Sequence, residues 1–240
     1  MQDTVLKKRK SHSVKPRVIG SKSSDDYTFG EPQYWMAEDI AVKYPDYKTK
    51  HWTYDEFSQA DFGDNVFVEI INGELYFMPS PGIIHQTISM ELAYQLYGFC
   101  RGTSIKVLTS PIDVRLFPKA DKTDDTVVMP DIAVMCDPAK FSEISHDGAP
   151  DMVIEILSPS NKKHDQVVKY ELYKKSCVKE YWIVDPKNET VSVFILDNGE
   201  YVKTLYKKTD TIKVKVLNDV CPNEANGESG LSIHLADVFK

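Results

Sequence analysis

Apolar residues recur along this chain in short bursts broken by turn residues, with one long stretch at helical spacing. VFVEII and ELYFM flank Asn72-Gly73 and read as a hairpin, because that pair supplies the left-handed residues of a tight turn. Pro79-Ser80-Pro81-Gly82 stops the second strand, and Ile84, Ile88, Leu92 and Leu96 then mark a long amphipathic helix over Ile83–Phe99. KVLTSP and IDVRLF predict two strands meeting at Pro111. VVMPDIAVM, MVIEIL and EYWIVD predict further buried strands, the last two separated by a helix from about Lys163 to Ser176. A second hairpin is expected from Thr190–Leu196 and Tyr201–Tyr206 around Asp197-Asn198-Gly199. Residues 210–217 read as a strand, Asn218–Gly230 as a loop, and LADVF as a terminal helical turn. Nearer the start, Pro32–Tyr44 suggests a helix, and Thr53 with Glu56 has the spacing of a capping box. The sum is an α/β (α+β) protein, a mixed β-sheet flanked by helices with added hairpins.

Length and charge narrow the picture. The 240 residues suffice for one sizeable core. Residues 1–26 are rich in Lys, Arg and Ser without apolar periodicity, so they read as a basic, disordered tail, and 27–240 as a single domain. A net charge of -7 offers no global attraction to nucleic acid, so such binding would need a local basic patch. Cys100, Cys136, Cys177 and Cys221 are far apart, form no C-x-x-C pair, and read as free thiols in a reducing, cytoplasmic setting. The N-terminus lacks the apolar core of a signal peptide, and no run is long enough to span a membrane.

Two of the buried-looking strands carry an acid. Asp131 follows Met129-Pro130, and Glu155 sits inside MVIEIL, 24 positions later. A carboxylate inside an apolar strand is costly unless a cation or hydrogen bonds satisfy it. Two of them on neighbouring strands offer hard oxygen ligands to Mg2+ or Mn2+. Such a cation polarises a phosphodiester and lowers the pKa of bound water. In the helix that follows, Asp165, Lys169 and Tyr173 share a face at i, i+4 and i+8, and Lys169 is placed to reach back towards the acids. The plainer alternative is a solvated face on which Lys169 pairs with Asp165.

The motifs, taken in order, resemble the Uma2 (DUF820) family of the PD-(D/E)xK nuclease superfamily. They are Glu69 with Asn72-Gly73-Glu74-Leu75-Tyr76, MPSP and His85; Ser110-Pro111 with Asp113-Val114; Met129-Pro130-Asp131; Pro150-Asp151 with Glu155-Ile156-Leu157-Ser158-Pro159-Ser160; Asp165, Lys169 and Tyr173; and Glu180-Tyr181-Trp182-Ile183-Val184-Asp185-Pro186. The resemblance runs from about Thr53 to Phe239 and implies a restriction-endonuclease-like core with a metal-dependent site. Asp131 matches the Asp of the PD motif and Glu155 the Glu of the ExK motif. Leu157 stands where that motif has its lysine, and Lys169 matches the place on the following helix to which some superfamily members have moved it. Glu74 is the first choice for an early acid that reaches the metal, and Glu69 the second. His85, Asp113, Asp165 and Tyr173 are expected nearby without assigned roles.

The resulting expectation is an endonuclease that hydrolyses DNA with Mg2+ or Mn2+ and no organic cofactor. Asp131, Glu155 and Glu74 hold the metal, Lys169 assists the attacking water, and a homodimer serves the two strands of duplex DNA. The competing expectation is a catalytically silent binding module on the same scaffold, consistent with the acidic chain and the lysine missing from the strand.

Overall fold

The structure, a computed structural model, describes residues 40–63, 66–78, 80–140, 145–158, 164–220 and 230–240. The expected basic tail and most of the Pro32–Tyr44 helix lie outside these residues; 40–43 form a helical turn. Helix α1, Tyr54–Gln59, begins at the expected capping box: Thr53 Oγ1 accepts from the Glu56 N–H, and Glu56 accepts from the Thr53 N–H. The hairpin β1 (Phe67–Ile71) and β2 (Glu74–Met78) follows, with Asn72 and Gly73 both at positive φ. Then come helix α2 (Ile83–Cys100) and strands β3 (Lys106–Thr109), β4 (Asp113–Arg115), β5 (Val127–Val128), β6 (Ile132–Met135), β7 (Ser145–Asp147) and β8 (Met152–Ile156).

The expected Lys163–Ser176 helix has two parts in the structure. His164–Lys169 winds as a wide π-helical turn, and Tyr170–Lys175 as the regular helix α3. Beyond it are β9 (Glu180–Asp185) and the hairpin β10 (Thr190–Asp197) and β11 (Glu200–Lys207). The expected strand over 210–217 covers only β12, Thr211–Lys213. From Lys215 the chain is helix α4, Lys215–Val220, because the buried pair Val216 and Leu217 docks on the main core. Strand β13 (Ser232–His234) pairs with β12, and helix α5, Leu235–Val238, is the predicted terminal turn. No helix among the described residues is long and apolar enough to cross a membrane.

Two sheets organise these elements. One has the order β2-β1-β5-β4-β7 and the other β11-β10-β9-β8-β6-β3. Both are mixed: β8 and β9 run parallel, as do β4 and β7, and the remaining pairs in these two sheets are antiparallel. Alternation along the strands sorts the side chains into layers. Ile132, Val134, Met152, Ile154 and Ile156 pack with Ile88, Leu92 and Leu96 of α2. From the opposite face, Ala133, Met135, Val153 and Leu157 meet Ile71, Val114 and Val128 of the smaller sheet, together with Leu172 and Tyr173 of α3. The far side of the smaller sheet is closed by Tyr47, Trp52 and Tyr54 against Val68, Ile70 and Phe77.

The chain changes sheets twice at one place. It leaves the six-stranded sheet between β3 and β4, and returns to it between β5 and β6 at Met129-Pro130-Asp131. The Ser110 N–H donates to the Asp131 carbonyl at 3.1 Å and ties the two crossings together.

Candidate active site

Strand parity aims three acids into the layer between the sheets. Glu69 alternates with Ile71 on β1, and Glu155 lies between Val153 and Leu157 on the same side of β8. Ile132 pairs with Ile154, so the register carried back one residue sets Asp131 opposite Glu155. Asp131 and Glu155 therefore share a face, and Asp131 Oδ2 accepts the Ile156 N–H at 2.7 Å.

Lys169 completes the cluster from the end of the wide turn. Its ammonium lies 2.8 Å from Glu69 Oε1 and 2.9 Å from Glu155 Oε1, with all three side chains at most 2 % exposed. The Tyr173 hydroxyl donates to the same Glu155 oxygen at 2.7 Å. Glu69 Oε1 also accepts the Met129 N–H at 2.7 Å, which fastens β1 to the crossing that delivers Asp131. His85, in the first turn of α2, places Nε2 3.0 Å from Asp131 Oδ2. Its Nδ1 is buried and has no hydrogen-bond partner among the described residues.

The electrostatics follow from burial. Loss of solvent raises the Glu155 pKa; the Asp131 and Glu69 carboxylates push the same way, and Lys169 opposes them without prevailing. Burial works against protonated His85, but the neighbouring Asp131 and Glu155 outweigh it and hold the imidazole above its ordinary value. Burial and then Glu155 raise the Tyr173 hydroxyl well above the usual tyrosine range, so it stays a donor. Asp113 is pushed up to about 6, first by burial and then by Glu69.

Glu74 is not one of the converging acids. It pairs with Ile71 at the turn end of the hairpin, where it is exposed and accepts from the Tyr76 hydroxyl at 3.2 Å. The acid that reaches Lys169 and Glu155 is Glu69, two residues further from the turn. Its signal was present in the sequence: Glu69 is flanked by Val68 and Ile70 inside an apolar strand, the same pattern that singles out Asp131 and Glu155. Asp113 lies close enough to Glu69 to feel its charge, and the Asp165 side chain falls outside the described residues.

Among the described residues, no three His, Cys, Asp or Glu side chains group so as to hold a metal ion unaided. The donors present nonetheless fit a hard cation. Asp131 Oδ1 and Glu155 Oε2 take no hydrogen bond among the described residues, while the other oxygen of each carboxylate is fixed by protein donors. Magnesium is commonly held by one or two carboxylates, with water and substrate phosphate supplying the other oxygens.

The chain is thus a mixed two-sheet α+β protein with acids and a lysine buried between its sheets. It is similar to a crystal structure from Anabaena variabilis titled a "putative nuclease belonging to DUF820", with a TM-score of 0.59 and 20% identity over 78% of this chain and 97% of that one. Residues 54–221 match the Uma2 family, described as "putative restriction endonuclease", and the chain belongs to that family. It is also 24% identical over 149 residues to the uncharacterized protein slr1290 of Synechocystis sp., an alignment covering 61% of this chain and 76% of that protein.

Proposed function

We propose that the protein is a Mg2+-dependent endonuclease that hydrolyses phosphodiester bonds in DNA. The observation that carries this reading is Asp131 facing Glu155 across β6 and β8, with the Lys169 ammonium 2.9 Å from Glu155. Asp131 and Glu155 would hold the cation, each through the oxygen that has no protein donor. The cation would supply Lewis-acid polarisation of the phosphoryl group and acidify a water molecule. Lys169, fixed between Glu69 and Glu155, orients the attacking water and steadies negative charge that grows on the phosphate. His85 and the Ile156 N–H hold Asp131 in one orientation, so little reorganisation is left for the reaction itself. Glu69 acts through Lys169 as a positioning residue.

Nicking of supercoiled plasmid in Mg2+ or Mn2+ tests the reading, with Asp131→Asn and Glu155→Gln as controls. Both substitutions keep side-chain volume and should abolish nicking, and activity surviving in either one overturns the assignment. A second reading, a silent nucleic-acid- or protein-binding module, is favoured by the pairing of Lys169 with two carboxylates and by the net charge of -7. Calorimetric titration of Mn2+ separates the two readings: no binding at millimolar concentration supports the silent module.

A further inference from the structure

Helix α2 is apolar on two faces. Ile88, Leu92, Leu96 and Cys100 fill the main core, as an amphipathic helix requires. The opposite side carries Ile83 at 85 % exposure, Met90 at 71 %, Tyr94 at 72 % and Tyr97 at 59 %. Ile83, Thr87, Met90, Tyr94, Tyr97 and Arg101 are spaced alternately by four and three residues, the interval of a helix–helix seam. Glu91 is the one Asp, Glu, Lys or Arg in this helix, and it faces sideways to accept from Gln95. A chain with 27% charged residues thus leaves in solvent an apolar stripe whose one charge is Arg101 at its C-terminal end.

We infer that this stripe is a self-complementary interface through which two copies of the chain pair, α2 against α2. The chemistry argues for a second copy over other occupants. A face whose single charge is Arg101 at one end offers little to a phosphate backbone, and it lacks the rows of Lys and Arg that flank a helix lying on a lipid surface. The area suits a dimer. With large side chains offering about 150–200 Å² each, the four exposed apolar residues of the seam present roughly 500 Å² per copy, and a pair would bury about 1,000 Å², about the least that a specific interface needs. Antiparallel pairing fits the sequence better than parallel. It opposes the two helix dipoles, keeps Arg101 away from its own copy, and brings Met90 against Tyr94 of the second chain in a sulfur–aromatic contact. Exposed Gly98, with open space where a Cβ would stand, lets the backbones approach. The inference is independent of the nuclease reading, since no part of it uses the acids or Lys169.

The test is the mass of the full chain in solution by light scattering or sedimentation across micromolar concentrations. The wild type should run at twice 27.3 kDa. Tyr94→Glu and Met90→Glu, each placing a charge in the seam, should run as monomers with unchanged far-ultraviolet circular dichroism. A wild type that stays monomeric at tens of micromolar overturns the inference, as do variants that stay dimeric. A monomer that dimerises only once residues 1–39 are deleted would assign the stripe to the chain's own N-terminal segment, which also overturns it.

Discussion

Replacing Lys169 with methionine tests the physical basis of the site most directly. Methionine keeps much of the side-chain length and removes the charge. The ammonium lies 2.8 Å and 2.9 Å from two glutamates that are themselves buried, so its loss leaves both carboxylates facing each other without a counter-charge. Removing one partner of a buried ion pair costs about 3–5 kcal/mol, a large share of the roughly 5–15 kcal/mol by which a domain is stable. The deficit must depend on pH. Glu155 is pushed up to about 7 even with Lys169 present, and without the lysine it rises further. A carboxyl whose pKa is raised on folding binds more protons in the folded state than in the unfolded one. Stability therefore falls as pH rises from the unfolded value of about 4.5 through the folded value. Urea unfolding of Lys169→Met in EDTA should show the full loss at pH 8 and a clearly smaller one at pH 5. Adding Glu155→Gln should recover roughly half of the loss at pH 8. A deficit equal at both pH values, or none at all, would refute the argument that Lys169 neutralises two buried acids.

Other outcomes follow from the same geometry. Glu74→Gln should leave any metal-dependent nicking within about threefold of wild type, since Glu74 is exposed and bonded to Tyr76, whereas Glu69→Gln should lower it at least a hundredfold by releasing Lys169. Asp113→Asn should stabilise the fold by about 2 kcal/mol above pH 6 and change little at pH 3.5, because the cost of ionising this buried acid develops between its unfolded and folded pKa values; urea midpoints at the two pH values decide it. Arg115→Met should cost about 3 kcal/mol or more in the same assay, because Arg115 bonds buried Asp124 through Nε and Nη2 and spans Asp147 with Nη1.

The sequence made the strands legible where alternation and turn chemistry agreed. Asn72-Gly73 and Asn198-Gly199 mark their hairpins, and the acids interrupting VVMPDIAVM and MVIEIL mark the strands that deliver Asp131 and Glu155. The partition into two sheets was not legible, because strand period says which residues share a face and nothing about which strands become neighbours. That Glu69, and not Glu74, meets Lys169 was hidden for a related reason. Both lie on one face of the hairpin, and only the depth set by the Ile71–Glu74 and Glu69–Tyr76 pairs tells them apart. The helical start of 215–217 was hidden because Val214, Val216 and Leu217 satisfy a strand pattern as well as a helical one. The outward stripe on α2 was readable as apolar content, but its exposure needed the opposite face to be seen filled by the core.

The joining of four distant side chains has a consequence for the order of events in synthesis. Glu69 and Asp131 leave the ribosome well before Lys169, Glu155 only 14 residues before it, and β8 has its parallel neighbour only when β9, at residues 180–185, follows. A chain that has reached Glu155 but not Lys169 therefore carries the acids without their counter-charge or a completed sheet to seat them. The cluster and the sheet that seats it are completed together, only after residue 185 of 240 has been made.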